Sequence, residues 1–190
     1  MYSFNIIYTN LLQRNTPMTI TLRHETPQDI DTIESVTASA FLNAEHTDHN
    51  EHLIVNALRD AGALTLSLVA LDAQRLGDQH IVGHASISPV TISSGESGWY
   101  GLAPVSVVPD FQGKGIGSML VKQILAELKS LGAAGCVVLG DPGFYGRFGF
   151  VADDSLVLPG VPAEYFQTLA FKGHVPVGTV EFHAAFSVTN

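Results

Sequence analysis

A glycine-rich turn directly before a helical pattern constrains the fold of this chain most. The stretch PDFQGKGIGSML (109–120) places three glycines, Gly113, Gly115 and Gly117, between an apolar strand-like run and a helix-like run. Glycine permits positive φ and close approach of a ligand to the backbone, and successive amides in such a turn converge on an anion. The positive end of the helix adds roughly 0.3–1 kcal/mol per anionic group. The turn therefore predicts an anion site, with a turn that only tightens strand–helix packing as the alternative.

Two nucleotide-binding fingerprints fail at this turn. The dinucleotide pattern G-x-G-x-x-G fails in both registers. If it begins at Gly113, its third glycine position holds Ser118, and if it begins at Gly115, its third position again holds no glycine. A Walker A loop needs Ser or Thr after Gly-Lys, whereas Gly115 follows Lys114. The register that fits is Q-x-x-G-x-G, which begins at Gln112.

The order of the periodic segments predicts an α+β fold. Strand-like and helix-like runs follow the order βααβββαβ from Met18 onward, then a short αβ piece and a final strand in EFHAAFSV. Thr26 and Pro27 are typical of the start of the first helix. The strands outnumber the helices and include a hairpin, so we expect a mixed, mostly antiparallel sheet flanked by helices.

Length and composition indicate one domain, residues 18–190, preceded by a tail at residues 1–17. An extra terminal strand or helix is the alternative for that tail. With 18 acidic residues against 9 Lys and Arg, the chain lacks the basic surface of nucleic-acid-binding proteins, and a cationic or amine partner suits its charge better. No apolar run is long enough to span a bilayer and the N-terminus is a poor signal peptide, so we expect no membrane partner and a cytoplasmic location.

Two segments together resemble the GNAT superfamily of acetyl-CoA-dependent N-acetyltransferases. They are VSVVPDFQGKGIGSMLV, which carries the strand and Q-x-x-G-x-G, and FYGRFGF, which carries Tyr145, Gly149 and Phe150 in the Tyr-x-x-x-Gly-Phe pattern. The resemblance covers roughly residues 18–150. The longer stretches LAPVSVVPDFQGKGIG and LGDPGFYGRFGF look most similar to the YhbS-type branch of small bacterial N-acetyltransferases.

The resemblance implies a GNAT fold with splayed central strands and a site that binds acetyl-CoA mainly through the backbone. The strand APVSVV would bond the pantetheine arm through Val105, Ser106 and Val107, and the N–H of Val107 or its neighbour would polarise the thioester carbonyl. The turn would hold the pyrophosphate through these residues: Gln112, Gly113, Lys114, Gly115, Ile116, Gly117 and Ser118.

Tyr145 is the side chain that the resemblance assigns to catalysis, as the general acid for the leaving thiolate. A phenol can donate a hydrogen bond or a proton to that sulfur, help that is typically worth roughly 10²–10⁴ in rate. The alternative is a core aromatic residue beside Phe144, Phe148 and Phe150. Unlike many family members, this chain has the compact segment GDPGF before the tyrosine and no Asn there, and Asp141 is better suited to capping a short helix than to catalysis.

The general base is not identified by the sequence; Glu51 and His84 are two candidates. A lysine-like amine of pKa ~10.4 is neutral to only about 0.04% at pH 7, so such an acceptor needs a base or a water relay. An α-amine with a pKa of about 7.8 would need far less help. His84 is equally compatible with a structural role inside an apolar strand.

Metal binding and covalent catalysis are both disfavoured. The stretch EHTDHNEHL is rich in His and acidic residues but has no H-E-x-x-H, so a solvated loop is preferred over a metal site. Cys136, the single cysteine, lies in a buried strand pattern and is a poor nucleophile. Trp99 and Tyr100 either wall the acceptor pocket or belong to the core.

These observations predict an N-acetyltransferase that moves the acetyl group of acetyl-CoA directly to a primary amine. The alternatives are a non-catalytic coenzyme A-binding sensor or partner module, and a transferase that uses another acyl-CoA donor. A polyamine, an aminoglycoside and a protein amine all fit the acidic balance, and no motif selects among them. Monomer and homodimer are equally compatible with the sequence.

Overall fold

The computed structural model describes residues 18–44, 47, 49–75 and 80–189. The expected tail at residues 1–17 lies outside them. The helices are α1 (Ile30–Phe41), α2 (Glu51–Asp60), α3 (Ile116–Ser130) and α4 (Pro142–Tyr145). The strands are β1 (Ile20–His24), β2 (Leu66–Asp72), β3 (Ile81–Ile92), β4 (Trp99–Val107), β5 (Gly135–Leu139), β6 (Leu156–Val157), β7 (Phe166–Ala170) and β8 (Gly178–Phe182).

The strands form one mixed sheet in the order β1-β2-β3-β4-β5-β7, and β8 joins the far end of β3 and pairs with β6. Within the described residues, only the β4–β5 and β6–β8 pairs are parallel. The α+β class with a mostly antiparallel sheet flanked by helices is therefore confirmed. None of the helices in the described part of the chain has the length and apolarity that a bilayer-spanning segment needs.

The C-terminal third differs from the expectation. The last strand is Gly178–Phe182, so only the first two residues of EFHAAFSV are extended, and Ala184–Ser187 form a 3-10 turn. The turn forms because the His183 side chain accepts a hydrogen bond from the backbone N–H of Ala185, at 3.1 Å. The strand β7, which pairs antiparallel with β5, was not predicted.

The central strands β4 and β5 separate along their length. They pair in parallel only from Trp99↔Gly135 to Gly101↔Val137, although β4 continues to Val107. On its other side, β4 stays paired with β3 as far as Val107, across a bulge between the pairs Ile87↔Leu102 and Ala85↔Val105. The second half of β4 therefore has one free edge inside the sheet, and this is the splay that the resemblance implied.

The two faces of the sheet are covered by different helices. One face packs on α3, whose buried residues recur at helical spacing: Ile116, Leu120, Val121, Ile124, Leu125 and Leu128. The other face packs on α1 and α2, through Ile33, Val36 and Val55 against Val69 and Ile81. Each fully buried Leu or Ile contributes roughly 1.5–3 kcal/mol relative to an exposed one. These layers fix β4 between the two helical faces.

Candidate active site

A cleft of about 460 Å³ lies where the free edge of β4 meets the N-terminus of α3 and the short helix α4. Its lining contains most of the residues that the sequence predicted for cofactor binding, together with several that it did not. The lining residues are Val105, Val107, Phe111, Gln112, Gly113, Gly115, Ile116, Gly117, Ser118, Asp141, Phe144, Tyr145 and Arg147.

The backbone of β4 presents alternate residues to this cleft. The N–H of Val108 donates to Val82 O at 3.0 Å, and the carbonyl of Ser106 approaches Gly83, so both groups point toward β3. Because hydrogen-bonded and non-bonded pairs alternate in an antiparallel ladder, the N–H groups of Val105 and Val107 point to the free edge. Ser106 does not line the cleft, and its hydroxyl lies on the α1 face, 3.3 Å from Thr37 Oγ1. The backbone groups of Ser106 therefore face β3, and the expected pantetheine contact at Ser106 stays a prediction.

The glycine turn requires glycine at two positions. Gly113 and Gly115 have φ of +72° and +86°, the left-handed region that other residues occupy only at a cost. Gly115 precedes Ile116, the first residue of α3, so the exposed amides of the turn and of the helix N-terminus lie side by side. The Gln112 side chain donates to Val107 O at 3.0 Å and ties the turn to β4.

Three cations surround the cleft although the whole chain has a formal charge of −9. Arg147 lines it directly, with its guanidinium 4.6 Å from the Phe144 ring centre. Lys114 and Arg75 lie over the Phe111 ring, at 5.0 and 4.5 Å from its centre. Lys114 is therefore beside the lining and not part of it. Arg147, Phe111 and Phe144 were not predicted; one signal for Arg147 was its place two residues after Tyr145 in a chain with few cations.

Tyr145 lines the cleft and is half-buried, and its ring packs edge-on against Phe144 and Phe150 with centroids 4.9 and 5.9 Å away. Its ring fits against Gly140, where an added Cβ would lie 2.4 Å from Tyr145 Cε2. Burial, followed by the nearby Cys136 and Asp141, raises the pKa of Tyr145 to about 12. The phenol is therefore protonated at every physiological pH and is available as a donor.

The two candidate bases lie in different places. His84 is fully buried on β3, opposite Ser106 in the β3–β4 ladder, and burial lowers its pKa to about 4. Glu51 is the first residue of α2, and the Thr47 hydroxyl donates to its carboxylate. Neither lines the cleft.

The remaining candidates have structural surroundings. The Asp141 carboxylate accepts from the Gly143 N–H at 2.8 Å and caps α4, as the sequence predicts. Cys136 is buried, and burial raises the pKa of its thiol, which opposes thiolate formation. Within the described ranges, which omit Glu45, His46 and Asp48, no three His, Cys, Asp or Glu side chains are grouped to hold a metal. Trp99 is buried in a core cluster, whereas Tyr100 is half-buried.

Comparisons with known proteins place these features in a family. Residues 30–150 match the Acetyltransferase (GNAT) family. The chain is 36% identical over 129 residues, 68% of its length and 72% of the relative's, to the N-acetyltransferase YhbS of Escherichia coli K12. A GNAT family acetyltransferase from Brucella melitensis, solved with acetyl-CoA, is 47% identical with a TM-score of 0.77, over 89% of this chain and 99% of the other. YhbS from E. coli, solved with CoA, superposes with a TM-score of 0.78 at 30% identity, over 91% and 94% of the two chains. The chain therefore belongs to the GNAT family of acetyltransferases.

Proposed function

We propose that this protein transfers the acetyl group of acetyl-CoA directly to a primary amine. The observation that carries the proposal is the cleft itself, in which the free edge of β4 meets a positive-φ glycine turn at the N-terminus of α3. A flexible arm with amide groups fits the strand edge, and a pyrophosphate fits the turn. Two solved relatives are complexes with acetyl-CoA and with CoA, which supports the same ligand here.

The residues of the cleft have distinct parts in this proposal. The N–H groups of Val105 and Val107 bond the pantetheine arm and polarise the thioester carbonyl, as donors aimed at a developing oxyanion. The amides of the turn and of the first residues of α3 hold the pyrophosphate. Arg147, at the mouth of the cleft, supplies a positive charge for the phosphates.

Tyr145 stabilises the leaving sulfur through a hydrogen bond. Full proton transfer from a phenol with a pKa of about 12 to an alkyl thiolate with a pKa of ~8.5 would be unfavourable by about 5 kcal/mol. A hydrogen bond to an anion is roughly twice as strong as one between neutral groups and needs no such transfer. The general acid expected from the sequence is thus proposed here as a donor that keeps its proton.

A non-catalytic coenzyme A-binding module would need the cleft but not Tyr145, so a phenol among the lining residues supports the enzyme. An acyl-CoA donor with a longer acyl chain would bind the same backbone groups. The preference for one acyl chain over another is therefore measured by comparing turnover with different acyl-CoA donors. The acceptor is proposed as a primary amine of a small molecule or a protein. The cytoplasmic location and the choice between monomer and homodimer stay predictions.

The test is calorimetric titration with acetyl-CoA, with free CoA and NADH as controls, followed by thiol release with a panel containing spermidine, an aminoglycoside and an α-amino peptide. Gly115→Ala should weaken acetyl-CoA binding because its φ of +86° is strained for alanine. Gly95→Ala is the matched control, since Gly95 has a φ of +91° and equally open surroundings but does not line the cleft. Binding without turnover on any amine or acyl donor would indicate the sensor instead, and no binding by the wild type at millimolar ligand would refute the proposal.

A further inference from the structure

A chain of polar side chains crosses the face of the sheet opposite α3. Arg59 of α2 donates two hydrogen bonds to the Glu25 carboxylate, at 2.8 and 3.0 Å. The Ser67 hydroxyl of β2 donates to Glu25 Oε2 and lies 2.8 Å from His84 Nε2 on β3. The direct distance from His84 Nε2 to Glu25 Oε2 is 3.8 Å, so Ser67 bridges the two. Arg59 on α2, Glu25 directly after β1 and Ser67 on β2 are therefore linked to His84 on β3.

The direction of these bonds fixes the tautomer of His84. Burial raises the pKa of Glu25, but hydrogen bonds from Arg59 and Ser67 lower it further, so the pKa lies below its usual value. Glu25 is therefore an ionised carboxylate, which can accept hydrogen bonds but not donate them. Ser67 has one hydroxyl proton, which it gives to Glu25, so its oxygen accepts from His84 Nε2–H. A neutral imidazole carries one N–H. His84 Nδ1 is therefore left with a bare lone pair.

This lone pair has no hydrogen-bond partner among the described residues, although His84 is fully buried. A buried acceptor without a partner costs about 1–3 kcal/mol, so such groups generally mark an ordered water or a functional role. His84 is directly opposite Ser106, and side chains of opposed residues share a face. Ser106 lies between Val105 and Val107, the two residues at the edge of the cleft. His84 is thus about 4.8 Å, one strand spacing, behind the strand that borders the cleft.

We propose that His84, held in the Nε2–H tautomer by Ser67 and Glu25, takes the proton that leaves the acceptor amine. Because His84 is buried, the proton arrives through an ordered water on the Ser106 side of β4. The amine nitrogen attacks the thioester carbon, so the N–C bond forms, the N–H bond breaks, and the C–S bond breaks to release the thiolate of coenzyme A. The water takes the amine proton and passes one of its own to Nδ1, the Nε2 proton moves to Ser67, and the Ser67 proton moves to Glu25, which ends as the neutral carboxylic acid. His84, Ser67 and Glu25 are the relay residues, and Arg59, which donates two hydrogen bonds to Glu25, is the positioning residue. The inference rests on the proposed acetyl transfer.

The low pKa of His84 also restricts the protonation state in which the acceptor amine can react. A histidine with a pKa of about 4 cannot remove a proton from an alkyl ammonium with a pKa of ~10.4. The amine must therefore enter as the free base, and the relay acts once bond formation has made its nitrogen acidic.

Nitrogen-detected NMR of His84 tests the relay without any acceptor. The neutral Nε2–H tautomer is expected in the wild type, and Ser67→Ala should mix the tautomers or reverse them. Ser88→Ala is the matched control: Ser88 is a buried serine like Ser67 and lies on β3, the strand of His84, and its hydroxyl has no partner among the described residues. An Nδ1–H tautomer in the wild type overturns the inference.

Turnover then separates the relay from the proposed function. With acetyl-CoA and the most active amine of the panel, His84→Gln should lower kcat by roughly 10²–10⁴ and Ser67→Ala by roughly tenfold. The acetyl-CoA dissociation constant should stay unchanged in both variants, and Ser88→Ala should match the wild type. Folded His84→Gln and Ser67→Ala proteins with wild-type kcat overturn the relay alone, whereas failure of the wild type to bind acetyl-CoA overturns the proposed function and the relay with it.

Discussion

Replacing Gly140 with alanine tests whether the position of the Tyr145 ring controls turnover. An added Cβ would lie 2.4 Å from Cε2 and 3.1 Å from Cδ2 of the tyrosine, so the ring must move by about 1 Å to restore ordinary contact. Gly140 has no positive φ, so backbone strain is not involved. Overpacking of this kind costs about 1–3 kcal/mol of stability. A 1 Å displacement of a catalytic group costs about 10²-fold in rate, or about 2.7 kcal/mol of activation free energy.

The assay is thiol release from acetyl-CoA with the most active amine, together with thermal unfolding of each variant. Gly146→Ala is the matched control, because Gly146 has helical φ and ψ of −56° and −27° and nothing within 4 Å of an added Cβ. It should retain activity and gain about 0.4–1 kcal/mol of stability.

A double-mutant cycle shows whether the effect passes through the tyrosine. The combination of Gly140→Ala with Tyr145→Phe should have a kcat no lower than Tyr145→Phe alone, because the displaced hydroxyl is already absent. A Gly140→Ala enzyme with wild-type kcat would refute the reasoning, and additive losses in the double variant would show that the loss arises elsewhere.

Three further changes have defined outcomes. The pKa of His84 in the folded protein, about 4, lies below its ordinary value of 6.5, so the unfolded chain binds the proton first as the pH falls. The free energy of unfolding should therefore fall by about 3 kcal/mol from pH 6.5 to pH 4. In urea titrations at a series of pH values, His84→Gln should reduce this pH dependence. Arg147→Gln should weaken CoA binding and reduce its salt dependence in calorimetry, whereas Lys122→Gln, an exposed charge on α3 that does not line the cleft, should not. Leu128→Ala, at a fully buried position, should lose about 2–5 kcal/mol of unfolding free energy, and Leu131→Ala, at 61% exposure, should lose much less.

The local part of the fold was accessible from the sequence. The strand-like runs of β2 and β3, the helical spacing of α3 and the glycines at 113 and 115 act within short windows, so each predicts its own element. The part of the cleft formed by β4, the glycine turn and α3 could be predicted because these three segments are contiguous in the chain. The cap at Asp141 was predicted for the same reason.

What the sequence did not reveal depends on distant contacts. The strand β7 is defined by its pairing with β5, and its buried Gln167 and Thr168 hide the apolar pattern. The His84 relay needs residues that approach only when β1, α2, β2 and β3 have assembled. No spacing rule relates Glu25, Ser67 and His84, so the sequence does not show that this histidine of an apolar strand is hydrogen-bonded to Ser67 and, through it, linked to Glu25.

The free edge of β4 also links the lifetime of this protein to its ligand. Unsatisfied amides on a strand edge are a template for pairing with other chains, and a bound molecule that covers them stabilises only the native state. At a concentration 100-fold above the dissociation constant, such a ligand adds about 2.7 kcal/mol to the free energy of unfolding. With acetyl-CoA as the ligand proposed for this edge, the abundance of the protein in a cell should follow the size of the acetyl-CoA pool, since loss of the ligand would leave the edge uncovered.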